Sequence, residues 1–277
     1  MKLHTLIIAG SALFFCLLNP SWAASRAYIT NQGSDNVSVI DTGSRAVIAT
    51  IPVGKGPVGV ALSPDSKVLY VADWFDDRVL AIDTANPKQR REIVIGKAPA
   101  GLIASPDGKR LYVANRDSND VAVIDTGSLQ VLARVDVGTH PFGIALSPDG
   151  SELYSVNVHA NSISVVDTAT YKTATIAVGE HPYCVTTSAD GKRIYVSNTQ
   201  GDSISVIDTA SRKVIATVDV GSFPEGINYD PATQNIYVAN WFDGSVSVID
   251  ASSNKLVANI DTGTESRSFG RFIVEAH

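Results

Sequence analysis

Two histidines occupy matching surroundings: His140 in "GTHPFG" (138–143) and His181 in "GEHPYC" (179–184), each just before a proline and an aromatic residue. A third, His159, sits between them in "NVHANS", and Cys184 closes the second segment. Imidazole and thiolate are suitable ligands for copper or zinc, so His140, His181, His159 and Cys184 make one candidate metal set. Other chemistry is open to the same residues. A histidine titrates near neutral pH and can act as a general base, whereas a single buried cysteine is usually a small hydrophobe. Channel-lining histidines need only hydrogen-bond partners. Whether the side chains share a site depends on the elements that position them.

Those elements repeat. Six segments align at Tyr28, Tyr70, Tyr112, Tyr154, Tyr195 and Tyr237, with spacings of 42, 42, 42, 41 and 42 residues. Each is followed by a run of the type "VSVIDT", then a run such as "VLARVDVG", then "PVGVALSPD" or a variant. Every repeat thus holds four short β-rich runs divided by Gly, Pro, Asn and Asp, with no helical period. Four strands per unit of this length predict a β-propeller blade, whose faces are buried by neighbouring blades. With strand A innermost ("GVALSP") and strand D outermost ("VIATIPV"), the repeats begin at a strand B, "AYITN", and end at a strand A, "SFGRFIVEA" (Ser268–Ala276). The fold expected is all-β, a propeller of six four-stranded blades. It is closed by N-terminal strands B, C and D pairing with the C-terminal strand A.

The pattern "YVAN…VSVIDT…SPDGKRLYVAN" resembles the YVTN-type β-propeller repeat family, over essentially the whole chain after residue 24. The resemblance implies an exported bacterial or archaeal protein. Similar repeats occur in surface-layer proteins, in lactonase-like and lyase-like propellers, and beside quinoproteins and haem enzymes. It implies fold and compartment better than reaction.

Most of the motif is structural. A tyrosine needed in every blade is core packing. The aspartate of "IDT" is placed to accept main-chain N–H groups in the next turn. "SPDG" is a turn in which glycine takes the left-handed conformation. Function is expected where the D-to-A and B-to-C loops, which open on one face, depart from consensus. The residue before the loop proline is Gly56, Ala98, His140, His181 and Phe223 in turn, with Arg267 at the matching place in the closing blade; the residue after it includes Phe142, Tyr183 and Glu225. The B-to-C loops add Arg116, His159, Trp74 and Trp241, the tryptophans being expected to flank the closing blade and its Arg267. The leading expectation is a scaffold that binds a periplasmic or cell-surface protein, or a small ligand, through His140, His181, His159, Arg267, Glu225, Trp74, Trp241, Arg116 and Tyr183. The alternative is a lactonase- or lyase-like enzyme, or a protein associated with a metal or redox cofactor, using His140, His181 and Arg267. Neighbouring strand-A starts lie about 10 Å apart, so shared ligation requires the histidine rings to converge.

Composition narrows the rest. The 277 residues carry a net charge of −6 and no basic run, which gives no electrostatic footprint for nucleic acid. Residues 1–24, with Lys2, the apolar run Leu6–Leu18 and small residues at Ser21–Ala24, read as a secretory signal peptide, leaving 25–277 as one domain. The expected location is the periplasm or the outside of the cell, as a monomer with no membrane span after cleavage. There is no "CxxCH", so no covalent haem is expected, and Cys184 is the one cysteine beyond the leader.

Overall fold

The computed structural model describes residues 26–263. The predicted leader, the predicted closing strand Ser268–Ala276 and Arg267 lie outside them. The described residues form a six-bladed β-propeller of antiparallel sheets. Blades 2 to 6 are four-stranded, and blade 1 contributes Arg26–Asn31, Asn36–Asp41 and Ala46–Pro52. The inner strands are Pro57–Leu62, Pro99–Ala104, Pro141–Leu146, Pro182–Thr187 and Pro224–Asp230, each contacting the next around the axis. None of the described helices is long and apolar enough to cross a membrane.

Alternation builds the core. In the outer strands one residue per blade turns inward onto the following blade: Ile51 packs with Leu69 and Val71, Ile93 with Leu111 and Val113, Ile176 with Ile194 and Val196. The repeated tyrosines 70, 112, 154 and 195 are buried, and Tyr28 and Tyr237 are half-buried. The junction of blades 6 and 1 differs. Ile260, equivalent to Ile93, is 48% exposed, and Ile29, equivalent to the fully buried Val71, is 49% exposed.

The motif residues have local reasons. The aspartates ending strand C accept turn N–H groups, as in Ser128 N to Asp125 Oδ1 at 2.9 Å. The glycine of "SPDG" has φ of 71° at Gly108 and 72° at Gly150. The asparagine ending strand B lies beneath the D-to-A loop that opens its own blade. Asn157 donates to Ser162 and Ser164 at 3.0 Å each, and a Cβ on Gly138 would stand 2.5 Å from its Cγ. Blade 2 replaces that asparagine with Asp73, whose buried carboxylate pairs with Arg78 at 3.1 Å.

Candidate functional site

Five loops between blades share one construction. The residue before the proline is left-handed, with φ of 62° at Gly56, 52° at Ala98, 54° at His140, 48° at His181 and 53° at Phe223. Its N–H is held by a side chain from the B-to-C turn of the preceding blade: Asn119 Oδ1 takes that of His140 and Asn161 Oδ1 that of His181, both at 2.9 Å. Asp35, Asp77 and Asp202 do the same for Gly56, Ala98 and Phe223. Its C=O accepts an N–H from the B-to-C turn of its own blade, Val158 to His140 at 3.0 Å and Trp241 to Phe223 at 3.0 Å. Both loop sets therefore form one face, and the two histidines sit on main-chain mounts fixed from both sides. Asparagine suits the clamp because it tolerates the left-handed region and carries an acceptor on a short arm.

On that mount the histidines meet. The rings of His140 and His159 have centroids 4.0 Å apart, and those of His159 and His181 are 5.5 Å apart. His159 belongs to the exposed 3-10 turn Val158–Ala160, whose N–H bond to Thr139 O holds it beside the His140 loop. Burial holds the His140 imidazole below its ordinary pKa, with Arg116 and His159 adding to the effect. Its Nδ1 is buried without a hydrogen-bond partner, an arrangement that costs about 1–3 kcal/mol for a neutral group.

Beside the histidines runs an aromatic arc. The residue after the proline falls in a register shift of the inner strand, between Pro141 and Ile144 in blade 4 and between Pro182 and Val185 in blade 5. Such a bulge re-aims side chains. Phe142 and Tyr183 stack there at 4.2 Å, and Trp74 reaches Phe142 at 5.9 Å. The Arg116 guanidinium lies 5.4 Å from the Trp74 ring centroid, within range of a cation–π contact, while pairing with Asp117. Trp74 of blade 2 thus reaches side chains of blades 3 and 4, while Arg267, its expected neighbour, lies outside the described residues. Trp241 joins a separate cluster with Phe223 at 6.0 Å and Phe242 at 6.3 Å. Phe75 and Phe242, in equivalent turns of blades 2 and 6, are 68% and 70% exposed.

Cys184 is placed apart from the imidazoles. It takes the position of the "PxG" glycine, where a Cβ on Gly143 would come 2.5 Å from Tyr183 O. It packs with Tyr195, Ile204 and Ile227, and burial pushes its thiol up to about 12. Where the glycine is lost, hydroxyls appear. Ser197 Oγ accepts from Cys184 N and donates to Glu225 O at 2.8 Å, and Thr199 Oγ1 donates to Pro224 O at 2.9 Å. Glu225 is buried at this junction and acts on the Cys184 thiol electrostatically. Sequence reasoning passed over Ser197, Thr199, Asn119 and Asn161; the signal available was hydroxyls and asparagines at fixed repeat positions. It also passed over Asp73, legible as an aspartate where other blades carry asparagine. The cleft of about 360 Å³ lined by Ser147, Asp149, Glu152, Tyr154 and Asp190 lies on the opposite face, among the A-to-B turns.

A six-bladed propeller with its departures from repeat gathered on one loop face defines a class of protein. The family described as "Lactonase, 7-bladed beta-propeller" matches residues 27–172, just over half of the chain, and the chain belongs to that family. The family described as "YNCE-like beta-propeller" matches residues 145–234. A chain of Kuenenia stuttgartiensis hydrazine synthase is similar at a TM-score of 0.77 and 25% identity, covering 87% of this chain and 84% of that one. A functionally unknown protein from Desulfotomaculum acetoxidans is similar at 0.73 and 16%, over 86% and 84%. The dihydro-heme d1 dehydrogenase NirN is similar at 0.64 and 16%, over 88% and 66%. A PE-PGRS family protein of Mycobacterium tuberculosis is 57% identical over 37 residues, which span 13% of this chain and 8% of that protein's length.

Proposed function

We propose that the chain is an exported propeller that works as a rigid scaffold and binds a protein partner through its loop face. The observation that carries this reading is the pair Phe75 and Phe242, two-thirds exposed or more at equivalent turns of one face, each adjoining a tryptophan. Large aromatic rings held out on fixed turns are the anchors that protein interfaces favour, and the rigid mounting keeps the entropic cost of binding low. The export part rests on the leader-like composition of residues 1–24. Proteins of similar fold include a hydrazine synthase and a dihydro-heme d1 dehydrogenase, so the fold by itself selects no reaction.

The test is photocrosslinking in the producing cell from position 242 or 75, with position 209 on the opposite face as reference. A discrete protein adduct from the aromatic face alone, lost when the other phenylalanine is changed to serine, is the expected result. Equal labelling from both faces, or none from either, overturns the reading. Lactone turnover by the purified protein that disappears in His181→Ala replaces it with a hydrolase.

A further inference from the structure

We infer that His140, His159 and His181 form a binding site for one borderline divalent cation, copper(II) or zinc(II), on the loop face. The site goes beyond the scaffold reading and uses none of the exposed phenylalanines. Three neutral imidazoles are a donor set those two cations accept readily.

The geometry points to a shared cation. With metal–nitrogen bonds of about 2.0–2.1 Å, two imidazoles on one metal at right-angled or tetrahedral positions have ring centroids about 4.5–5.5 Å apart. His159 and His181 already stand at 5.5 Å. His140 and His159 stand closer, at 4.0 Å and inclined by 49°, a ring-on-ring contact that must open by roughly an ångström to admit a metal. Among the described residues no group of three His, Cys, Asp or Glu is already set to hold a cation, so the site assembles on binding. The movement falls on the side chain of His159, exposed on its turn; the main chain of all three histidines is held, by Asn119, Asn161 and Thr139. An independent observation agrees: the buried Nδ1 of His140 has no hydrogen-bond partner, so no protein group competes with a cation for it. Cys184 is outside the set, being a protonated thiol within the apolar core.

The experiment titrates the untagged processed chain with copper sulfate and with zinc chloride. Calorimetry gives stoichiometry, and electron paramagnetic resonance of the copper form reports nitrogen ligands. The variants are His140→Asn and His181→Asn, which suit the left-handed backbone, and His159→Gln on the exposed turn, each checked for fold by circular dichroism. The expected result is one equivalent of metal with a nitrogen-ligand signal. Each single variant should lose affinity by at least the tenfold to hundredfold that even outer-shell substitutions cost, and the triple variant should show no such site. No uptake by the wild type, or equal uptake by wild type and triple variant, overturns the proposal; equal uptake assigns the metal to other groups, such as His277. Crosslinking from position 242 does not depend on this outcome, so the two readings fail separately.

Discussion

Asn119 accepts the main-chain N–H of His140 at 2.9 Å, tying the B-to-C turn of blade 3 to the loop that opens blade 4. Both residues are left-handed, with φ of 57° and 54°. The asparagine thus supplies a permitted backbone and a hydrogen bond together. Asn119→Ala removes the acceptor and adds left-handed strain, and a loss of about 2 kcal/mol is expected, whereas Asn119→Gly loses only the bond and costs about 1 kcal/mol or less. Urea unfolding of the two variants checks the order, and alanine no worse than glycine would sink the clamp.

Gly138 has a steric role. An added Cβ would lie 2.5 Å from Asn157 Cγ, and nothing lies within 4 Å of the same addition at Gly33. Gly138→Ala is expected to destabilise by about 1–3 kcal/mol through overpacking, and Gly33→Ala to stay within about 0.5 kcal/mol. Thermal denaturation side by side decides between this and a mere flexibility effect, which would move both alike.

The junction of blades 6 and 1 gives a second contrast. Ile93 is buried against Leu111 and Val113, while its equivalent Ile260 is half exposed. Ile93→Ala should cost about 2–5 kcal/mol, and Ile260→Ala under about 1 kcal/mol. Matching losses, read by calorimetry, would mean that the sixth blade packs on the first as tightly as the others pack on their neighbours.

Acid stability follows from the turns. Ten aspartates at the ends of strand C and in the A-to-B turns are held below the ordinary value by serine and threonine hydroxyls and main-chain N–H donors. Asp149 and Asp250 are brought to about 2 from 3.8. A carboxylate with a depressed folded pKa stabilises the fold above its unfolded pKa and loses that contribution as pH falls through the folded one. Asp73 runs the other way, because burial raises it. The melting temperature should therefore be flat above about pH 4.5 and fall between about pH 4 and 2, with a shallower fall in Asp149→Asn. A flat profile down to pH 2 would show that the turn hydrogen bonds carry no stability.

Cys184 offers a simple probe. A buried thiol pushed up to about 12 is almost entirely protonated at neutral pH, and the thiolate is the reactive form. In a chain without residues 1–24, which removes Cys16, a water-soluble disulfide reagent at pH 8 is expected to leave the native protein unlabelled and to label one thiol in urea. Rapid labelling of the native state would place the thiol on the surface.

The sequence by itself determined the architecture. The even spacing of the tyrosines, the alternation within each strand and the turn residues at fixed offsets are local signals, and a blade is built from local strand pairing. The loop face was equally legible, since the repeat puts His140, His181 and Phe223 at one loop position and Trp74, Arg116 and Trp241 at another. Tertiary structure decided which of these meet. His159 touches His140 because their loops are hydrogen-bonded within one blade, and it reaches His181 across a blade boundary. Trp74 of blade 2 meets Phe142 of blade 4, and Cys184 turns into the core, its main-chain N–H held by Ser197. These outcomes depend on rotamers and on the volume left by the neighbouring blade. Periodicity records the position of a residue in its own repeat and carries no information about the space beside it.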